Sequence, residues 1–224
     1  MAALLRNKCL FFLLLILLVW TGCSYHPPSA AQFMNSENRS GLVVGGSFFS
    51  GDRYIGDYRF EDDYDASEDG GAFDLSFYFS VGHMVLGIST ETFSFAMNGG
   101  FASRYIGLQL WGGTGVGTVP EEESNSWYGG VMLIEEYPVS EDFRVGVSEH
   151  ISRNAYKVDE NLGGFGVGGY STAYYSEFGL GTYLAYKDFS MEFRYGRQMD
   201  EPRNRFYFMV NYAFFVDTVE KKNN

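Results

Sequence analysis

The sequence predicts an all-β fold, an antiparallel up-and-down β-barrel of about 8–10 strands. Three observations support this fold. Apolar, often aromatic residues alternate with small or polar residues at period two, and clusters of Gly, Asn, Asp and Ser separate the alternating segments. Aromatic residues make up 18% of the chain, and 28 Gly accompany only 5 Pro. The sequence contains no amphipathic helix of useful length.

The N-terminus has the pattern of a secretory signal, which we assign to residues 1–22. Arg6 and Lys8 provide a short positive region before an unbroken apolar run over residues 10–20. As a helix this run would span about 16 Å, too short for a hydrocarbon core of roughly 30 Å. We therefore expect an exported chain.

The end of this signal, Thr21-Gly22-Cys23, resembles the lipobox of bacterial lipoproteins, although Trp20 stands where the family usually has Leu. The resemblance implies cleavage before Cys23 and lipidation of its sulfur. Cys23 is the only cysteine that would remain after cleavage, because Cys9 leaves with the signal. The alternative is ordinary cleavage after Ala30.

The mature chain is expected to form one domain behind a short tether. Residues 23–38 form the lipidated tether, which Pro27 and Pro28 keep extended. Residues 39–217 form the barrel, and residues 218–224 form a polar tail.

The alternation of apolar and polar residues is clear in some segments of the barrel domain and weaker in others. In segment 189–196, apolar side chains occupy the odd positions, and Ser190, Glu192, Arg194 and Gly196 occupy the even ones. The other clear segments are 73–82, 105–111, 143–152, 177–184 and 205–214, and the weaker ones are 41–50, 84–95 and 127–136. Nine segments conflict with the even strand number of bacterial single-chain barrels. Either one strand within 84–130 has been divided into two segments, or a strand has been missed, which we would place in 53–60 or 163–170.

The polar faces of these segments indicate which face meets water. A soluble barrel or sandwich hides its apolar face, whereas a membrane barrel turns it towards lipid. Water-facing strand positions usually carry Lys and other long polar groups. Here the polar faces carry Gly and Ser with scattered acids, Arg and Tyr, and every mature lysine lies in a turn or the tail. This pattern favours a membrane barrel, with a soluble barrel as the alternative.

Over residues 39–215 this pattern resembles small bacterial outer-membrane barrels of the OmpA/OmpX type. The resemblance implies strands that cross the outer membrane, contact with its lipid and aromatic girdles at both interfaces. Family members often end on an aromatic residue, whereas here Phe214 and Phe215 are followed by nine more residues.

The net charge and the composition of two loops indicate which binding partners to expect. Without Arg6 and Lys8, 14 basic and 28 acidic residues give a net charge of −14, which disfavours nucleic acid. Loop 51–70 is strongly acidic and could bind a divalent cation or remain a solvated loop. Loop 154–173 contains a GxGxxG match, but no helix follows to present it to a phosphate.

We expect no catalytic residue, no metal site and no cofactor. The chain has three histidines and none of the common hydrolase or metalloprotease motifs. His150, flanked by Ser148 and Ser152 on an inward face, could imitate the site of a lipid-modifying barrel enzyme, but a polar lumen residue explains it more simply. The inward charges are expected to form a structural network across the lumen, made of Asp74, Glu91, Arg144, Glu177, Glu192, Arg194 and Arg205.

Three classes of function remain open. The first is a non-enzymatic outer-membrane barrel with a narrow plugged lumen, acting in envelope structure or surface contact through its loops. The second is a soluble, lipid-anchored barrel that binds an apolar ligand, as lipocalin-like proteins do. The third is a lipid-modifying barrel enzyme.

The first testable prediction concerns the mature N-terminus. Mass spectrometry of the N-terminal peptide should find Cys23 as the first residue, carrying acyl chains. A peptide that begins at Ala31 or Gln32 without lipid would contradict this prediction.

Overall fold

The structure is a computed structural model that describes residues 26–55, 64–91, 94–115, 127–160, 169–199 and 203–218. The predicted signal peptide, Cys23 and the predicted polar tail beyond Thr218 lie outside these ranges. Among the described residues, no helix is both long enough and apolar enough to cross a membrane.

Ten antiparallel strands close into one barrel, which confirms the predicted up-and-down fold. Each strand pairs with its neighbours in sequence, and the first pairs with the last. The strands are β1 (Arg39–Ile55), β2 (Tyr64–Val81), β3 (Met84–Glu91), β4 (Ser94–Ala102), β5 (Ile106–Gly115), β6 (Trp127–Pro138), β7 (Phe143–Glu160), β8 (Gly169–Tyr186), β9 (Phe189–Gln198) and β10 (Asn204–Asp217).

The tenth strand is β4, so a strand had been missed, but within 84–130 and not in 53–60 or 163–170, and no strand in 84–130 had been divided. The sequence assigned 84–95 to a single strand, whereas the structure divides this region between β3 and β4. Two local signals misled the interpretation. Thr92-Phe93, between the strands, has no turn-forming residue, whereas Asn98-Gly99-Gly100 looks like a turn but lies inside β4. With ten strands, the tight turns at 82–83, 139–142 and 187–188 all lie at one end of the barrel.

The two ends of the barrel differ. At the turn end, connections of two to four residues join the strands, and β1 begins where β10 finishes. At the opposite end, the loop end, the longest connection covers 11 residues between β5 and β6. Short turns face the periplasm and longer loops face the exterior in outer-membrane barrels.

Two hairpins extend beyond their neighbours at the loop end. Strands β1 and β2 remain paired up to Ile55 and Tyr64, although β2 pairs with β3 only from Asp74 onwards. Similarly, β7 and β8 remain paired up to Glu160 and Gly169, beyond the reach of β6. The expected loops 51–70 and 154–173 are therefore largely strand, and only 56–63 and 161–168 lie outside the described residues. Acidic residues and Gly disfavour strands locally, but ladder hydrogen bonds form between backbones of any sequence.

The outer face of the barrel is apolar. Phe77 and Phe193 are 48% and 55% exposed, whereas Glu192 is fully buried. Phe193 packs beside Phe208 on the next strand, with ring centroids 4.7 Å apart. Further exposed apolar side chains include Phe48, Phe79, Leu86, Ile88, Leu108, Leu110, Leu133, Ile151, Leu180 and Phe206. A soluble barrel has the opposite arrangement, so this surface requires an apolar environment.

Inside the barrel lies helix α1 (Ala30–Asn35), preceded by residues 26–29. All six helical residues are buried, and the helix contacts β5, β6, β8 and β9. The two prolines predict an extended tether over residues 23–38, whereas the described part of that segment includes this buried helix. Ser29 caps the helix by accepting a hydrogen bond from the Gln32 amide. Six residues are too few for a helical pattern to be visible, and such a helix depends on its surroundings.

The apolar outer face predicts a depth-dependent cost for charge. Phe193→Arg, in the middle of β9, should oppose insertion by about 2–4 kcal/mol, because its guanidinium would face the hydrocarbon. The matched control is Val216→Arg, which is equally outward but near the turn end and should cost about 0–1 kcal/mol. Urea titration of folding into lipid vesicles measures both variants, and equal losses would contradict the proposed depth.

Candidate functional site

The candidate site is the lumen, where an ion pair on β9 holds the N-terminal segment, residues 26–38. Glu192 and Arg194 are two positions apart on a strand, so their side chains share the inner face. Both side chains are fully buried, and the Arg194 guanidinium contacts the Glu192 carboxylate directly. A buried pair of this kind persists only when its remaining hydrogen-bonding groups are also satisfied.

The N-terminal segment supplies those partners. The Glu192 carboxylate accepts hydrogen bonds from Ser29 Oγ at 3.0 Å and from the Ala30 amide at 3.1 Å. Arg194 donates to the carbonyl oxygens of Pro27 at 2.8 Å and Pro28 at 2.6 Å. The segment and the barrel wall therefore satisfy each other's polar groups where water has little access.

Closer to the turn end, amide side chains of α1 bind the β8–β9 connection. Gln32 Nε2 donates to Ser190 Oγ at 2.8 Å, and Asn35 Nδ2 donates to the Lys187 carbonyl at 3.3 Å. Arg39, at the start of β1, donates to Asn35 Oδ1 at 2.9 Å and forms an ion pair with Asp188 at 2.8 Å. These contacts fix the height of the helix in the barrel.

Glycines on the inner wall provide room for the apolar side of the helix. A Cβ at Gly107 would overlap Met34 Sδ, and one at Gly100 would lie 3.1 Å from the Phe33 ring. The Phe33 ring also meets Tyr78 edge-on, with centroids 6.3 Å apart. The small residues of the polar faces therefore leave space for the N-terminal segment.

A second group of polar side chains, the upper cluster, lies towards the loop end. It contains His150, Tyr175, Glu177, Arg205 and Tyr207, all of which are buried. Glu177 accepts a hydrogen bond from the Tyr207 hydroxyl at 2.7 Å and lies 2.9 Å from His150 Nε2. The Arg205 guanidinium contacts the Tyr175 hydroxyl and lies 4.8 Å from the centre of that ring.

The predicted lumen charges meet partners that the sequence did not assign to them. Asp74 lies 3.6 Å from His26 of the N-terminal segment. Arg144 lies 3.5 Å from Glu136, whose carboxylate also accepts the Tyr183 hydroxyl at 2.8 Å. Glu91 is the last residue of β3, and its side chain lies outside the described part of the chain.

Several functional residues were missed because their roles depend on the lumen contents. Ser29 and His26 belong to a segment that was read as a tether, and Glu136 ends one of the weaker strand patterns. The alternation of segment 105–111 places Tyr105 on its polar face and so predicts a lumen side chain, but Tyr105 lies 51% exposed in the connection before β5. The alternation predicts the same for four other aromatic side chains, which are buried in the structure, namely Tyr78, Trp111, Tyr183 and Tyr207.

The geometry around His150 does not form a serine–histidine–acid triad among the described residues. His150 Nε2 faces Glu177, but the hydroxyls of Ser148 and Ser152 have no hydrogen-bond partner. A nucleophilic serine must lie within hydrogen-bond reach of its base. In the described part of the chain, no three His, Cys, Asp or Glu side chains are grouped to hold a metal ion.

The protein is a closed barrel of ten antiparallel strands, and it has an apolar outer face and a polar inner face. This is the architecture of an outer-membrane β-barrel. The chain matches no family model and no curated protein.

Similar solved structures are distant outer-membrane barrels. The attachment invasion locus protein Ail of Yersinia pestis, solved with the heparin analogue sucrose octasulfate, is 13% identical, with 80% of this chain and 98% of that chain covered and a TM-score of 0.36. Neisserial surface protein A is 12% identical, with 79% of this chain and 99% of that chain covered and a TM-score of 0.37. The N-terminal β-barrel domain of Pseudomonas aeruginosa OprF is 9% identical, with 78% of this chain and 99% of that chain covered and a TM-score of 0.30.

The polar anchor of the N-terminal segment predicts a large stability loss. Glu192→Ala leaves Arg194 buried without its carboxylate, which should lower the free energy of unfolding by about 3–5 kcal/mol. Asp142→Ala is the matched control, because Asp142 forms an exposed pair with Lys187 at 3.6 Å and should lose under about 1 kcal/mol. Urea unfolding in lipid vesicles, followed by tryptophan fluorescence, compares them. Similar losses for both would show that the buried pair is not a main anchor.

Proposed function

We propose that this protein is a non-enzymatic outer-membrane barrel with a closed lumen, which acts in envelope structure or surface contact through its loop end. The observation that carries the proposal is the buried N-terminal segment, held by Glu192 and Arg194, inside a wall whose outer face is apolar. The same segment leaves little room for a substrate or solute along the barrel axis.

The strand number supports a closed lumen. Barrels of about eight strands have interiors that side chains fill, whereas aqueous channels appear near sixteen strands. Ten strands are much closer to the first case. Here helix α1 and the inward aromatic side chains Tyr78, Trp111 and Tyr183 occupy the additional width.

The extended hairpins support a role in surface contact. Residues 51–70 contain eight acidic residues against two arginines. Four of these acidic residues lie on the paired strands of the β1–β2 hairpin, namely Asp52, Asp65, Glu68 and Asp69. Functional surfaces are often displayed on loops that a rigid scaffold holds in place. The contact partner in this proposal is a cationic or cation-bridged surface, with a divalent cation bound by the carboxylates as one form of it.

Export and anchoring belong to the same proposal. The signal peptide directs the chain across the inner membrane, and an acylated Cys23 attaches it to lipid. The turn end then faces the periplasm and the loop end faces outwards, as is usual for these barrels.

The closed lumen predicts the electrical behaviour of the reconstituted protein. In planar bilayers the wild-type barrel should show no steady conductance of porin size. Arg194→Ala should add brief, small openings, because it removes the hydrogen bonds to Pro27 and Pro28. Arg104→Ala changes an exposed connection at the turn end and should leave the record unchanged. Large, steady currents from the wild type would refute the closed lumen.

A further inference from the structure

The N-terminal segment has a definite direction inside the barrel. Its residues contact β9 and the preceding connection in reverse order: Asn35 with Lys187, Gln32 with Ser190, Ser29 with Glu192, and Pro27 with Arg194. From Phe189 to Arg194 the strand advances roughly 17 Å towards the loop end. Followed backwards from Arg39, the chain therefore enters at the turn end and runs towards the loop end.

The contacts of His26, the first described residue of the segment, show how close the segment comes to the loop end. Its ring lies 3.6 Å from Asp74 and 6.0 Å, centroid to centroid, from Tyr207. Asp74 pairs with Glu91, the last residue of β3. The wall formed by β3 and β4 ends at this height, so His26 lies close to the lowest part of the loop-end rim.

Chain length then limits where Cys23 can lie. It lies three positions before His26, and an extended chain covers at most about 11 Å over three steps. The turn end lies roughly 23 Å away along β3, between Glu91 and Met84. Cys23 can therefore reach the low rim above β3 and β4, but not the turn end.

We propose that the mature N-terminus leaves the lumen at the loop end, over the low rim of β3 and β4. There Cys23 places its acyl chains in the membrane leaflet nearest that end. The inference deepens the proposed function and rests on its orientation, which makes this leaflet the outer one. Acyl chains gain free energy in hydrocarbon and have no comparable site in a lumen lined largely by polar groups.

The same contacts distinguish the two cleavage sites considered for the signal. Cleavage after Ala30 would remove Ser29, Pro28 and Pro27, which satisfy Glu192 and Arg194. Cleavage before Cys23 retains all of them. The lumen contacts therefore favour a mature chain that begins at Cys23.

The experiment locates the N-terminus in intact cells. A short epitope is inserted between Ser24 and Tyr25 of the full chain, which leaves the Thr21–Ser24 signal unchanged. We expect antibody to bind intact cells that make this protein. Binding only after the outer membrane is permeabilised would overturn the inference.

Two control insertions separate this inference from the proposed orientation. An epitope within 161–168 reports the loop end, and one after Asn224 reports the turn end, because the Thr218 amide bonds to the Asn38 carbonyl there. If the 161–168 epitope is hidden in intact cells, the orientation itself fails. If it is exposed while the N-terminal epitope is hidden, only the present inference fails.

A pair of point substitutions tests the same inference without an insertion. With the Cys23 sulfur acylated, Tyr25→Cys and Glu37→Cys each carry one reactive thiol. A membrane-impermeant maleimide should label residue 25 in intact cells and label residue 37 only after permeabilisation, because Glu37 pairs with His83 at the turn end. The reverse order of labelling would overturn the inference.

Discussion

Closure of the barrel by the β1–β10 pairing is the constraint on which the rest of the structure depends. The pairing runs from Arg39 opposite Asp217 to Gly51 opposite Arg205 and leaves no free edge on the two terminal strands over that length. Hydrocarbon offers no partner to an unpaired backbone amide or carbonyl, so a sheet with an apolar face can cross a membrane only when it is closed. The apolar outer face and the paired backbone are therefore parts of one solution.

Closure also creates an interior that must be filled. Ten strands enclose more space than their inward side chains occupy, and the N-terminal segment takes up part of the difference. The wall is polar at that depth, so the segment presents polar groups of its own, and the Glu192–Arg194 pair meets Ser29 and the proline carbonyls. Proline suits this position, because its carbonyl remains available while it has no amide that needs a partner.

Unequal strand lengths make the loop end asymmetric. The β1–β2 and β7–β8 hairpins rise well above the membrane-crossing part, whereas β3 and β4 stop at the level of Asp74. The β1–β2 hairpin carries Asp52, Asp65, Glu68 and Asp69 at the loop end, and the low side offers an exit for the chain that fills the lumen. Both proposals, surface contact and an N-terminus at the loop end, follow from this difference in height.

The sequence by itself determined the strand alternation and placed Glu177, Glu192, Arg194 and Arg205 on the face opposite the apolar side chains, because alternation is a local property of each strand. It favoured an apolar outer face but left the soluble barrel open, and the tertiary structure decided between them. Only the tertiary structure decided that β3 and β4 are separate and that residues 26–38 enter the lumen. It alone decided that Glu177 faces His150 and Tyr207. Pairing across a lumen joins residues far apart in sequence, and barrel closure, which no local pattern encodes, determines which of them meet.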